Sequence, residues 1–271
     1  MTKKALLVGI NAYGGGNGLS GCVNDAEDLY ALLTGPFGFP PDNVRMLLDA
    51  RATREAVLSR LEWLVRGAAP GDELVFAFSG HGTQIRDWSG DELEDHLDEC
   101  LVPVDYDWLD ASLIKDDDLL ERFLLLPANL TVILDCCHSG SATRSLAPML
   151  PRQPRYLAPP RDVAARARGR ALESWKMLEV AEGMTHLLIA ACQSSQVAAD
   201  AYFNAPEGPE LEPRPNGALT YFLARALREP ATTWLQVMET AKAGLAGDLF
   251  EQVPRLEGPA ARINGYPFGG R

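Results

Sequence analysis

Two short runs, Ser79-Gly80-His81-Gly82 and Asp135-Cys136-Cys137-His138-Ser139-Gly140, hold the residue types that nucleophilic thiol chemistry needs. Each closes an apolar, strand-like stretch, Leu74–Phe78 before the first and Thr131–Leu134 before the second. A thiol and an imidazole at the ends of two buried strands can meet across a sheet edge, with Cys137 as nucleophile and His81 as base. Glycines on both sides of His81 let the backbone turn sharply and a substrate come close. Residues two apart on a strand share a face. Asp135 therefore joins Cys137, and Ser79 joins His81, whereas Cys136 turns toward the packing side and His138 reads as a turn or packing residue. The chemistry expected is thiolate attack on an amide carbonyl, with the backbone N–H groups of Gly82 and Cys137 holding the oxyanion. No third residue that would orient His81 stands out, so the expectation is a dyad passing through a thioester acyl-enzyme. A carboxylate at position 135 would raise the pKa of the neighbouring thiol unless it had another task. Binding a cationic side chain is such a task, because a guanidinium presents a planar fork that matches a carboxylate. Cleavage after Arg or Lys is the consequence.

The elements that position these runs alternate between strand and helix. Strand patterns cover Lys4–Ile10, Asn43–Leu48, Glu73–Phe78 and Leu130–Leu134, with helical patterns near 25–33, 53–66 and 116–124. Such a series implies an α/β fold with a mostly parallel sheet covered by helices on both faces, and chemistry in such sheets gathers at the carboxyl ends of the strands. The polar, acidic stretch 83–118 reads as a small hairpin over the sheet edge. Residues 141–172 are rich in Pro, Ala and Arg and read as an exposed, mobile linker. Structure resumes with His186–Ala191 as a strand, helices near 217–227 and 232–247, and an edge piece at Gln252–Leu256 that contains Pro254. The organisation is a large unit at 1–140, a linker at 141–183, and a smaller unit at 184–271 that completes the same domain.

The 271 residues, 46% of them hydrophobic, suffice for a sizeable core. Their net charge of -12 disfavours nucleic acid or an anionic membrane as partner. The positive start Met1-Thr2-Lys3-Lys4 leads into an apolar run too short for a secretion signal. No stretch reaches the ~18 apolar residues that a membrane crossing needs, so an aqueous, cytoplasmic location is expected. Five cysteines, an odd number, do not suggest a disulfide framework.

Together these blocks resemble a metacaspase, a caspase-like cysteine peptidase of the caspase–hemoglobinase clan, type I-like or bacterial orthocaspase. The likeness also rests on Ala5–Tyr13, Gly21-Cys22-Val23-Asn24-Asp25-Ala26 and Asp98–Tyr106, and continues more weakly through Ala191–Gln196 and Asn216–Tyr221. It implies a caspase-like sheet of about six strands, a dyad matching His81 and Cys137, and a basic-residue pocket matching Cys22, Asp25, Ser79 and Asp135. Caspases proper carry Gln-Ala-Cys where this chain has Asp135-Cys136-Cys137, with the histidine about 50 residues upstream. Here the interval is 56 residues. An Asp in place of that Gln reverses the charge logic of the pocket and disfavours cleavage after aspartate.

The chemistry itself requires no cofactor. The resemblance does imply a calcium site matching Asp98, Asp116 and Asp117, but Arg144 stands where a further carboxylate is usual, and a cation there opposes a hard divalent ion. A calcium site and a solvated acidic hairpin both remain open. The linker has two readings as well, a solubilising tether or a set of self-cleavage sites at Arg144, Arg152, Arg155, Arg161, Arg166, Arg168 and Arg170. The partners expected are protein or peptide substrates with Arg or Lys at P1, and Pro254 on the last strand points to a monomer. Against the peptidase stands a catalytically idle caspase-like scaffold that binds peptides in the same groove. A zinc module built on Cys100, Cys136, Cys137 and His138 lacks paired ligand spacing.

Overall fold

The computed structural model describes residues 1–86, 97–123, 126–137, 152–160, 163, 185–192, 196–203, 213–229 and 233–270. Apolar runs become strands β1 (Lys3–Gly9), β2 (Val44–Leu48), β3 (Glu73–Ser79), β7 (Asn129–Asp135) and β9 (Leu187–Ala190), all parallel to their neighbours. Strand β12 (Arg255–Glu257) closes one edge antiparallel to β9, just after Pro254, giving the order β12-β9-β7-β3-β1-β2. The sheet has the six strands expected. Strands from both the large and the small unit lie in it.

Register is what matters for function. Gly9 pairs with Ser79, and Ser79 pairs with Asp135, so three adjacent strands end level at their carboxyl edge. Helix α1 (Cys22–Thr34) begins against that edge. A side chain at position 9 would run into the Cys22 carbonyl, so Gly9 lets the helix start close enough to deliver Cys22 and Asp25 to the strand ends.

Alternation divides the core in two. Leu6, Val8, Phe76, Leu134 and Cys136 pack with α2 (Arg54–Val65) and α3 (Asp116–Phe123) through Leu61, Leu64 and Phe123. Ala5, Leu7, Ile133 and Cys137 pack on the other face with α1, α4 (Ala218–Arg228) and α5 (Trp234–Gly247) through Leu33, Leu223 and Trp234. Thr53 accepts from Ala56 N–H to start α2, and Thr233 with Gln236 forms a capping box at the start of α5.

Two small antiparallel sheets complete the molecule. The acidic stretch after His81 forms β4 (Gly82–Arg86), β5 (Leu97–Leu101) and β6 (Ile114–Lys115). A second sheet, absent from the sequence reading, joins β8 (Gln153–Pro154), β10 (Ala199–Phe203) and β11 (Arg214–Gly217). Strand β8 requires a correction to the linker. Residues 153–157 are not an exposed tether, because Gln153 and Pro154 pair with Asp200 and Ala199, and the Arg155 side chain is wholly buried. Composition averages over a stretch and does not register one arginine that finds buried acids.

Candidate active site

Cys137 and His81 both lie at the carboxyl edge of the sheet, buried, just beyond β7 and β3. Between them lies the chain's own Arg155. Its carbonyl oxygen accepts from Gly82 N at 3.1 Å and Cys137 N at 3.2 Å, the two N–H groups expected to hold an oxyanion. Hydrogen bonds continue on both sides: Arg155 N donates to Ala198 O at 3.0 Å, Leu157 N to Gly82 O at 2.9 Å, and Thr83 Oγ1 to Leu157 O at 2.7 Å. An extended segment from Gln153 to Leu157 thus bridges the backbones of Gly82 and Cys137.

His81 is fixed by backbone partners. Its Nε2 lies 2.8 Å from Asn17 O, and the ring packs against Tyr13 with centroids 4.6 Å apart. A proton on Nε2 serves that carbonyl and leaves Nδ1 as the basic nitrogen; Nδ1 has no hydrogen-bond partner among the described residues. Burial lowers the His81 pKa, opposed by the Asn17 carbonyl and by the nearby Arg155 backbone. Burial likewise pushes the Cys137 thiol well up, so the resting group is a thiol. Asp135 is not a leading influence on Cys137; its charge raises Cys136 and Cys192 instead.

The Arg155 guanidinium fills the pocket expected to take a basic side chain. Its NH2 donates to Asp25 Oδ2 at 2.7 Å and Asp200 Oδ1 at 2.8 Å. Its NH1 donates to Ser79 Oγ at 2.6 Å and Asp135 O at 3.0 Å, with Asp135 Oδ1 at 3.3 Å. Cys22 is buried beside them, and the Arg155 charge opposes the rise that burial gives its thiol pKa.

Each acid is held in turn. Thr220 donates from N at 2.8 Å and Oγ1 at 2.7 Å to Asp135 Oδ2, from the first turn of α4, where a helix favours negative charge. Asn216 Nδ2 and Gly217 N each donate to Asp25 Oδ1 at 2.9 Å, and Ser20 N donates to Asp200 Oδ2 at 2.8 Å. Gly217 forms part of the wall: a Cβ there would collide with Asp135 Oδ2 and Arg155 NH1. With three carboxylates around one guanidinium, burial first and then repulsion from Asp135 raise Asp25 to about 6, against the pull of Arg155.

Asp200, Asn216, Thr220 and the Asn17 carbonyl were missed by sequence reasoning. Of the seven linker arginines, Arg152 and Arg155 are described; Arg144, Arg161, Arg166, Arg168 and Arg170, like His138, lie outside the described residues.

The acidic trio is a different place. Asp98 and Asp116 are buried, Asp117 is half-buried in the first turn of α3, and Lys115 sets its ammonium 2.7 Å from Asp98 Oδ2. Among the described residues no group of three or more His, Cys, Asp or Glu converges to hold a metal. A resident cation on Asp98 competes with a calcium ion for that carboxylate. Nor do Cys100, Cys136 and Cys137 gather as zinc ligands among the described residues; all five cysteines are buried and none is in a disulfide.

The metacaspase peptidase C14 domain matches residues 3–145, more than half of the chain. The chain belongs to the metacaspase family. Metacaspase-1 of Yarrowia lipolytica is 44% identical over 149 residues, 52% of this chain and 32% of that protein. Metacaspase-1 of Candida glabrata is 40% identical over 147 residues, 51% of this chain and 37% of its own length. The match thus spans about a third of each relative. The protein GSU0716 of Geobacter sulfurreducens superposes with a TM-score of 0.69 at 24% identity, covering 100% of this chain and 99% of that one. Pro-sf-caspase-1 superposes at 0.55 and 12% identity, covering 94% and 86%. Both share the fold. No described helix of this metacaspase is long and apolar enough to cross a membrane.

Proposed function

We propose that this metacaspase is an endopeptidase that cleaves after Arg or Lys through Cys137 and His81, and that it cuts its own chain between Arg155 and Tyr156. The observation that carries the reading is the pose of Arg155, with its side chain among Asp25, Asp135 and Asp200 and its carbonyl on the N–H groups of Gly82 and Cys137.

The steps follow from that pose. Cys137 Sγ gives its proton to His81 Nδ1 and attacks the Arg155 carbonyl carbon, while Asn17 O steadies the imidazolium through Nε2. Negative charge developing on the carbonyl oxygen falls on two N–H groups already aimed at it. Collapse breaks the bond to Tyr156 N, which takes the proton from His81, and leaves Arg155 as a thioester on Cys137. Water, deprotonated by His81, then hydrolyses that thioester. Asp135 does not hinder ionisation of the thiol, because its carboxylate is turned to Arg155 and Thr220.

An Arg fork uses the pocket more fully than a Lys ammonium, since each terminal nitrogen has its own partners. The calcium expected from the family resemblance has no part in these steps. The test compares fluorogenic peptides ending in Arg, Lys or Asp with wild type and Cys137→Ala. Cleavage should follow the order Arg, Lys, with none after Asp, and should vanish in the variant. Preference for Asp would overturn the pocket, and undiminished cleavage by the variant would overturn the nucleophile.

A further inference from the structure

If Arg155 stands at P1, as the preceding reading has it, then Pro154, Gln153 and Arg152 occupy P2, P3 and P4. Arg152 is not idle in the groove. Its NH1 donates to Leu249 O at 2.7 Å and its NH2 to Asp248 O at 2.7 Å, and the guanidinium lies 3.9 Å above the Phe250 ring. We infer that these groups form a second cation subsite, S4, and that the enzyme recognises the pattern Arg-x-x-Arg before the scissile bond.

Three features show a built platform. Helix α5 ends in a reversed turn in which Leu249 adopts a left-handed φ of 58°, Leu249 N donates to Ala246 O, and Phe250 N donates to Leu245 O. That turn presents the Asp248 and Leu249 carbonyls, just past the helix end, outward where the dipole favours a cation. Leu takes such a backbone conformation at a cost, and the residue is 73% exposed.

Phe250 is itself fixed. It stacks on Phe203 with centroids 5.6 Å apart and meets Phe222 edge-on at 6.2 Å. Phe203 ends β10, the strand whose Ala199 and Asp200 pair with Pro154 and Gln153. The strand that aligns the segment therefore also supports the ring beneath its P4 side chain. A guanidinium can stack on that ring and reach two carbonyls at once, where an aliphatic side chain can only pack on the ring.

The test compares kcat/KM for the fluorogenic peptides Arg-Gln-Pro-Arg, Ala-Gln-Pro-Arg and Leu-Gln-Pro-Arg on one preparation of the full chain. Their ratio does not depend on how much enzyme has vacated its own groove. Arg at P4 should exceed both Ala and Leu by about tenfold, and Phe250→Ala should bring the ratio toward one. Equal cleavage of the three, or preference for Leu, would overturn the subsite while leaving the P1 reading intact, with Arg152 then only capping α5. Failure to cleave any of them would overturn the P1 reading and the subsite with it. Should Phe250→Ala fail to fold, the wild-type ratio alone decides.

Discussion

Two of the acidic clusters among the described residues, each met by a cation from the same chain, differ in what carries that cation. Around Arg155, the carboxylates of Asp25, Asp135 and Asp200 come from α1, the end of β7 and β10. Around Lys115, the partner is Asp98 on the neighbouring strand of the same small sheet. Lys115 belongs to the framework, since Cys100 pairs with it and Leu101 with Ile114. Arg155 belongs to a segment that pairs by only two residues with β10 and lays a peptide bond on the catalytic N–H groups. On the proposed reading the first cluster exchanges its cation and the second keeps one. Counting acidic residues does not distinguish them; the backbone carrying the cation does.

The difference is broken most severely at Asp25. Asp25→Asn keeps the shape but removes a charge from a fully buried ion pair, an interaction whose loss costs ~3–5 kcal/mol. Cleavage of Arg peptides should fall by about a hundredfold or more, read as kcat/KM, with most of the loss in KM. A fall confined to kcat would place Asp25 in the chemistry instead of the pocket.

How much of this was legible in the sequence depends on which groups carry it. Ser79 and Asp135 could be placed together because parallel strands with period-two alternation fix both face and neighbour. The N–H groups of Gly82 and Cys137 could be named only because they belong to, or directly follow, the two candidate catalytic residues. Asp200 and Asn216 sit on β10 and β11; Ala199–Phe203 alternates only through two alanines and Phe203, a weak strand signal, and Arg214–Gly217 does not alternate at all. The Asn17 carbonyl is a backbone group, and backbone groups leave no residue signature. Arg155 was one of seven linker arginines, and what singles it out is three-dimensional.

A milder separation comes from pH. Asp25 loses its proton only near 6, chiefly because it is buried. That value holds with the Arg155 charge in the pocket, so a vacated Asp25 keeps its proton to still higher pH; binding an arginine favours the ionised form, and affinity is full above the vacant-pocket pKa and falls as pH drops toward about 6. Burial lowers the His81 pKa, so the imidazole stays in its basic form over the same range. The KM for Arg peptides should therefore climb as pH falls toward about 6 and level off below it, while kcat changes less. A kcat that falls first on the acid side would assign that limb to the imidazole.

The second cluster should respond in stability alone. Lys115→Met removes the ammonium from buried Asp98 and should lower Tm by several degrees, corresponding to ~1–3 kcal/mol, while the Arg over Lys preference is kept. Calcium should have the smallest effect, leaving both Tm and peptidase rate of the wild type unchanged. A calcium-dependent rise in either would mean that Lys115 yields Asp98 to the ion.

The central claim is that Arg155 lies in its own enzyme's active site as a substrate. Its most direct test is mass spectrometry of the new N-termini after parallel incubation of wild type and Cys137→Ala. The account predicts a chain beginning at Tyr156 in the wild type and none in the variant. An intact Arg155–Tyr156 bond in the wild type, or the same fragment from Cys137→Ala, would contradict it.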